Sequence, residues 1–117
     1  GGPQARDIAG VQVLATEVDG ASGKELRGHA DTLLDKVGKG VVVLGSRAGG
    51  KASLLIKVSR ELTDRLSAGD LIGQLAPLVG GRGGGRAEMA QAGGRDPEGV
   101  PKAISRAYEL VEAALSS

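Results

Sequence analysis

A run of glycine and arginine at residues 80–86 constrains this chain more than any other feature of its sequence. The segment reads GGRGGGR, so five of its seven residues are glycine and the other two are Arg82 and Arg86. Glycine permits positive φ and a close approach of backbone to ligand, and successive free N–H groups can bind an anion. The two guanidinium groups add forked donors that suit phosphate or a base edge. The run therefore predicts an exposed loop that binds phosphate.

A flexible linker is the other interpretation of a glycine run. Such linkers usually combine glycine with serine, whereas here arginine replaces serine and an apolar pattern resumes at Met89, Ala90 and Ala92. A binding role is favoured for that reason, with Gln91 placed to orient the loop or to reach a base. Internal bracing of a glycine turn by Arg86 and Gln91 stays open as the alternative.

The continuation of the run carries a family resemblance. Residues 83–94 read GGGRAEMAQAGG, which resembles the signature of the C-terminal, DHHA1-type domain of alanyl-tRNA synthetases. Ala87 stands where that signature usually has proline, and Ala92 where it often has glycine. The similarity extends to GVVVLGS at residues 40–46, GGKASLLIKVS at residues 49–59 and LTDRLSAGDLI at residues 62–72. It thus covers nearly the whole chain from Val11 onward.

The resemblance implies a non-catalytic domain that holds the outer corner of the L-shaped tRNA. In that family the domain links aminoacylation to editing in the ATP-dependent ligase that attaches alanine to its tRNA. The resemblance implies no cofactor in this chain, and it places the ATP, magnesium and zinc of the parent enzyme in domains upstream. The implied partners are alanine tRNA and a second copy of the protein, joined through an adjoining helical segment, in the cytoplasm and not at a membrane.

Composition and the resemblance together mark eight residues for tRNA contact. The glycine and arginine run supplies most of them, and a predicted basic hairpin tip supplies two more. They are Arg82, Gly83, Gly84, Gly85, Arg86, Gln91, Arg47 and Lys51.

Two other functions stay open at the level of sequence. Substrate-binding domains of DHH-family phosphoesterases, related to single-strand exonucleases, also carry a triple-glycine loop. That loop typically continues with histidine, where this chain has Arg86. A module that only dimerises would need an exposed apolar patch, which the sequence does not locate.

The predicted hairpin tip also matches the spacing GxxxxGK of a nucleotide-binding loop, through Gly45, Gly50 and Lys51. Ala52 follows where that motif needs a hydroxyl for magnesium. The segment moreover connects two predicted strands, whereas such a loop opens a helix. We therefore interpret it as a basic tip at which Arg47 and Lys51 can touch a phosphate backbone.

Composition excludes several chemistries. The chain has no Phe, no Trp and one tyrosine, Tyr108, so base stacking on aromatic platforms is excluded. It has no cysteine and one histidine, His29, which leaves no thiol nucleophile and no multi-histidine metal site. We expect both Tyr108 and His29 to serve in packing. The net charge is only +1, so affinity for RNA has to come from local clustering of the 15 Lys and Arg residues.

Periodicity predicts one α/β (α+β) domain with a mixed β-sheet packed by helices, in residues 11–117. Residues 1–10 are predicted to be a linker or a frayed N-terminus. Strands are predicted at residues 11–18, 40–44, 52–58 and 87–92, and helices at residues 24–37, 61–66, 70–79 and 97–115. Gly38 is expected to end the first helix, and Asp70 to cap the third.

Overall fold

The computed structural model describes residues 3–116, which form one six-stranded mixed sheet with helices on both faces. The elements are β1 (Arg6–Ile8), β2 (Val11–Glu17), α1 (Gly23–Val37), β3 (Gly40–Ala48), β4 (Lys51–Val58), α2 (Ala68–Leu75), β5 (Gly81–Gly85), β6 (Met89–Gly94) and α3 (Val100–Ser116), with 3-10 turns at Arg60–Leu62, Ala76–Val79 and Pro97–Gly99. The strand order is β1-β2-β3-β4-β6-β5. Only β2 and β3 are parallel neighbours within these residues. The predicted fold class is confirmed.

The two faces of the sheet bury separate apolar clusters. α1 packs over β3 and β4, and its Leu26 and Ala30 are buried against Leu55 on that face. The larger cluster lies on the opposite face, where α3 covers β2 and β3 while α2 covers β4, β5 and β6. β5 and the outer part of β6 are therefore covered by a helix on one face and left open on the face that α1 shares.

The hairpin of β3 and β4 is confirmed, with a shorter turn than predicted. Gly49 and Gly50 form the turn alone, with φ of 60° and 75°. Two successive positive φ values match the twist of a two-residue hairpin and favour glycine at both positions. Ala48 pairs with Lys51 immediately beside the turn, so the strands extend almost to the tip.

The N-terminal region departs from the prediction. Residues 6–8, assigned to a linker, form strand β1, which pairs antiparallel with β2. Ile8 packs against the larger apolar cluster, and the Arg6 guanidinium carbon lies 3.8 Å from the centroid of the Tyr108 ring. These long-range contacts order a segment whose own sequence shows no pattern. Residues 1 and 2 of the predicted linker lie outside the described residues.

The glycine run also departs from the prediction, because it is a strand and not a loop. β5 pairs along its length with β6, from Gly81 opposite Gly94 to Gly85 opposite Ala90. A Cβ atom at Gly81, Gly83 or Gly85 would overlap backbone atoms of β6. Alternate glycines thus let the two strands approach closely. β6 begins at Met89, two residues later than predicted.

Helix boundaries differ in the middle of the chain. The predicted helix at residues 61–66 is the 3-10 turn Arg60–Leu62, and the predicted helix at residues 70–79 is α2 followed by a second 3-10 turn, Ala76–Val79. The expected cap at Asp70 is wrong: Ser67 is the N-cap of α2, and its hydroxyl accepts the Asp70 N–H at 3.3 Å. Asp70 lies instead in the first turn, where a carboxylate favours the helix dipole. Gly38 ends α1 as predicted, with φ of 79°.

The two residues expected to pack behave differently. The Tyr108 side chain packs against the larger cluster, and its hydroxyl donates to Ala15 O at 3.1 Å and accepts the Ala15 N–H at 3.0 Å. The tyrosine hydroxyl therefore provides hydrogen-bond partners for the backbone N–H and carbonyl of Ala15, at a point of β2 that lies beyond the end of β1. His29 is exposed on α1, so its expected packing role is wrong.

Candidate nucleic-acid interface

The part of the sheet left uncovered beside α1 is a basic surface, which we call the open face. Residues that pair directly across an antiparallel ladder point to the same side of the sheet. Leu55 belongs to the cluster under α1 and pairs with Gln91, which in turn pairs with Gly84. The same register defines the open face, which comprises Lys51, Ser53, Lys57, Met89, Gln91, Gly93, Arg82 and Gly84, together with Arg86 in the turn after β5.

Two exposed glycines of the open face have no steric reason to be glycine. A Cβ atom at Gly84 would have no heavy atom within 4 Å, and one at Gly93 would only reach Ala52 O at 3.9 Å. Neither residue has a positive φ. Gly83 and Gly85 are different, because their hydrogens face the backbone of β6. The open face therefore exposes bare backbone at Gly84 and Gly93 that a ligand can approach closely.

The two arginines of the run lie beside this bare backbone. Arg82 and Arg86 are exposed, and within residues 3–116 neither guanidinium group has a hydrogen bond or an ion pair. The backbone of Arg86 is held from two sides: its N–H donates to Met89 O at 2.9 Å, and its carbonyl accepts the Gly69 N–H at 3.0 Å. The Arg86 side chain thus extends from a fixed base with all of its donors unused.

Gln91 braces the structure with both ends of its side-chain amide. Its Nε2 donates to Gly23 O at 3.0 Å, and its Oε1 accepts from Arg27 Nε at 2.8 Å. The bracing interpretation therefore fits the geometry of Gln91. Sequence analysis did not identify Arg27 as part of this region. No sequence motif links this surface arginine of α1 to Gln91, which lies 64 residues away in the chain.

The two basic residues of the hairpin tip lie on different faces. Arg47 pairs with Ala52, whose side chain is buried in the larger cluster, so it points away from the open face. It makes a bidentate ion pair with Glu17, with Nε–Oε2 of 2.7 Å and Nη2–Oε1 of 3.1 Å. The hydrogen bonds to Glu17 are the main cause of the raised pKa of Arg47. Its charge is therefore largely compensated, unlike those of Arg82 and Arg86.

Lys51 lies at the other end of the open face. It lines a shallow cleft of about 390 Å³ with Ser53, Gly93, Gly94 and Arg95. Within the described part of the chain, neither Lys51 nor Arg95 has an ion pair. Unpaired cations therefore stand at both ends of β6, with exposed glycine backbone between them.

None of the helices within residues 3–116 is long and apolar enough to cross a membrane. The same residues contain no group of three or more His, Asp or Glu side chains arranged to hold a metal ion.

Comparison with known proteins places these features in a family. The DHHA1 domain model matches residues 10–113. The alanine–tRNA ligase of Anaeromyxobacter dehalogenans is 54% identical over 112 residues, which are 96% of this chain and 12% of that protein. The ligase of Chromohalobacter salexigens is 52% identical over 110 residues, 94% of this chain and 13% of that protein. The chain thus spans about one eighth of the length of the curated relatives that it matches.

Solved structures agree with this assignment. The crystal structure of the C-Ala domain from Aquifex aeolicus alanyl-tRNA synthetase superposes with a TM-score of 0.84 and 31% identity, over 93% of this chain and 98% of that one. A DHH-domain member of the s1p family of ribosomal proteins, with a TM-score of 0.62 and 13% identity over 94% of this chain and 28% of that one, shares the fold alone. This chain therefore belongs to the DHHA1 domain family and, within it, to the C-terminal domains of alanyl-tRNA synthetases.

Proposed function

We propose that this chain is the tRNA-binding domain of an alanine–tRNA ligase and that the open face contacts the RNA. One observation carries the proposal. Two arginines without a side-chain partner in residues 3–116, and two glycines that internal packing does not require, lie on the same uncovered part of the sheet. Family membership supports the choice of partner, since the curated relatives are alanine–tRNA ligases.

The residues of the open face have different roles in binding, which follow from the chemistry of their side chains and backbone. Arg82 and Arg86 donate to phosphate oxygens of the tRNA, while Gly84 and Gly93 admit its backbone close to the sheet. Lys51 extends the positive surface to the far end of β6. Gly83 and Gly85 act indirectly, since they hold β5 against β6 and so set the position of both arginines. Gln91 positions Arg27 and the start of α1.

In the parent ligase this domain holds the outer corner of alanine tRNA and so links aminoacylation to editing. It contributes no catalytic group and no cofactor. The ATP, magnesium and zinc of the parent enzyme act in other domains. The parent enzyme works in the cytoplasm and dimerises through an adjoining helical segment.

The test is tRNA binding across a salt series with charge-matched variants. The open-face variant is Arg82→Ala/Arg86→Ala. The control is Arg65→Ala/Lys102→Ala, which removes two exposed cations near α2 and on α3, on the opposite side of the sheet. Each lost phosphate contact lowers the slope of log K against log salt by about 0.7 to 0.9. We expect a reduction of about 1.5 for the open-face variant and none for the control, and equal losses in both would contradict the proposal.

A panel of RNAs separates this function from its alternatives. Preferential binding of folded tRNA over short single strands supports the proposal. Equal or tighter binding of short single strands would favour a substrate-binding role like that of the DHH phosphoesterases. Absence of binding at low salt, together with a dimer of the isolated chain, would favour dimerisation as its function.

A further inference from the structure

At one edge of the open face, a cleft of about 230 Å³ opens between α1 and the turn that joins β5 to β6. Its floor is apolar: the half-buried Met89 provides the exposed surface, and the fully buried Ala30 and Leu55 also line the cleft. Its rim carries charges of both signs. The rim residues are Arg27, Arg86, Lys57, Asp31 and Glu88.

The charges on the rim do not cancel locally. Asp31 is ion-paired with Lys57, and Glu88 lies 3.6 Å from the Nε of Arg60. Arg27 uses its Nε on Gln91, which leaves both terminal nitrogens without a partner in residues 3–116. Among the same residues, Arg86 uses none of its side-chain donors. The cleft therefore presents two guanidinium groups with free donors above an apolar floor, while both carboxylates are already engaged.

The turn that carries Arg86 is fixed before any ligand arrives. Four backbone hydrogen bonds tie residues 86–88 to three other parts of the fold, which are β6, the first turn of α2 and the end of β4. They run from Arg86 N to Met89 O at 2.9 Å, from Ala68 N to Ala87 O at 2.9 Å, from Gly69 N to Arg86 O at 3.0 Å, and from Val58 N to Glu88 O at 2.9 Å. Little backbone ordering would be needed on binding, which favours affinity.

We propose that this cleft binds one unpaired nucleotide unit of RNA, with the base on Met89 and its phosphate between Arg27 and Arg86. The proposal rests on the proposed function and names a subsite of the same surface. A nucleotide matches both halves of the cleft, since the flat base covers apolar carbon and the phosphate engages the forked donors. The chain has neither Phe nor Trp. The base therefore packs on the thioether of Met89 and on guanidinium planes instead of on an aromatic ring.

The single methionine of the chain makes a direct test available. Met89 lines the cleft, and the sequence contains no other methionine. A protein labelled with methyl-¹³C methionine, and freed of its initiator methionine, therefore gives one methyl signal from the cleft floor. The probes are AMP, GMP, CMP and UMP, the corresponding nucleosides, inorganic phosphate, and a short glutamate-rich peptide.

We expect a saturable shift of the methyl signal with at least one nucleotide, in the millimolar range that suits a single unit detached from its chain. The corresponding nucleoside and phosphate alone should each bind at least about fivefold more weakly. A shift of equal size and affinity with phosphate alone would reduce the cleft to an anion site and overturn the proposal. A shift with the acidic peptide but with no nucleotide would overturn it as well, and so would the absence of any shift.

Two variants complete the design. Arg86→Ala should weaken nucleotide binding about tenfold, since it removes one of two charged partners of the phosphate. Arg65→Ala, on the opposite side of the sheet, should leave it unchanged. Failure of this inference is distinguishable from failure of the proposed function. Tight tRNA binding without a methyl shift would overturn only the proposal that the cleft binds a nucleotide. A nucleotide-dependent shift without tRNA binding would support nucleotide binding in the cleft and contradict the proposed function.

Discussion

Arg27 on α1 donates from its Nε to the side-chain oxygen of Gln91 on β6 across 2.8 Å. The amide nitrogen of the same glutamine donates to the carbonyl of Gly23, at the start of the same helix, across 3.0 Å. One side chain therefore fixes the start of α1 against the strand at the centre of the open face. It also leaves the two terminal nitrogens of Arg27 free to face a ligand.

Removal of this brace should reduce stability and RNA affinity together. We expect Gln91→Ala to lower the free energy of unfolding by about 1 kcal/mol, because it removes the side-chain hydrogen bonds to the half-buried Gly23 carbonyl and from Arg27. Urea denaturation measures the loss. Gln91→Glu keeps the acceptor for Arg27 but lacks the donor to Gly23, and it should therefore also be less stable than the unmodified chain. Full stability of both variants would contradict the assignment of Gln91 as a brace.

Adjacent glycines of β5 should respond in opposite ways to the same substitution. Gly83→Ala should destabilise the fold by more than about 2 kcal/mol, because the new Cβ would overlap Gln91 O and Ala92 of β6. Gly84→Ala places its Cβ in open space at an ordinary φ, so it should leave stability unchanged or raise it by about 0.5 kcal/mol.

The same pair separates folding from binding. Gly84→Ala should weaken tRNA binding while its melting temperature is maintained, since its methyl group occupies the space through which the RNA backbone approaches. Thermal unfolding and tRNA titration on one sample give both values. Unchanged affinity in Gly84→Ala would show that close approach at this residue plays no part.

The two cations of the hairpin tip should differ in importance for RNA binding. Arg47 is held by Glu17 on the opposite side of the sheet from the open face, whereas Lys51 has no ion pair within residues 3–116 and lies at one end of that face. We expect Lys51→Ala to reduce the salt slope of tRNA binding and Arg47→Ala to leave it unchanged. The reverse order would move the RNA surface to the α3 side of the sheet.

Elements with local signals could be predicted from the sequence, and those that depend on distant partners could not. The hairpin of β3 and β4 has β-branched runs and a two-glycine turn, and α1 has helical spacing and a terminal glycine. β5 lacks such signals, because its order comes from pairing with β6 rather than from the propensity of glycine. β1 has only three residues and is ordered by β2 and Tyr108.

The candidate site was predictable in part for the same reason. Glycine and arginine composition pointed to Arg82, Gly84 and Arg86, which the fold places on one surface. No local pattern separates the glycines that face β6 from those that face solvent, since that distinction depends on strand register. Arg47 and Lys51 are four residues apart in sequence, yet the hairpin turns their side chains to opposite faces of the sheet.

The start of α1 should make stability depend on pH in acid. Ser22 and Glu25 form a capping box: the Ser22 N–H donates to the Glu25 carboxylate at 2.9 Å, and the Ser22 hydroxyl accepts the Glu25 N–H at 3.1 Å. The backbone hydrogen bond from Ser22 is the largest cause of a Glu25 pKa below its ordinary value of 4.5. A carboxyl group that is more acidic in the folded state stabilises the fold above its unfolded pKa, and this contribution is lost as the pH falls through the lowered value.

Glu25→Gln tests this linkage because it keeps the size of the side chain and removes its charge. The melting temperature of the unmodified chain should exceed that of Glu25→Gln at about pH 6, and the gap should close towards about pH 3. Ser22→Ala should lower the melting temperature at both values, since it removes the cap itself. A constant gap between the unmodified chain and Glu25→Gln across this range would contradict the assigned role of the carboxylate.

The most direct measurement of RNA contact at the open face is a map of backbone amide shifts when tRNA is added to the ¹⁵N-labelled domain. We expect changes at Arg82, Gly84, Arg86 and Gly93 and near the start of α1, while the exposed faces of α2 and α3 stay constant. Changes confined to α2 and α3, with the amides of β5 and β6 unaffected, would contradict the open face as the surface that contacts tRNA.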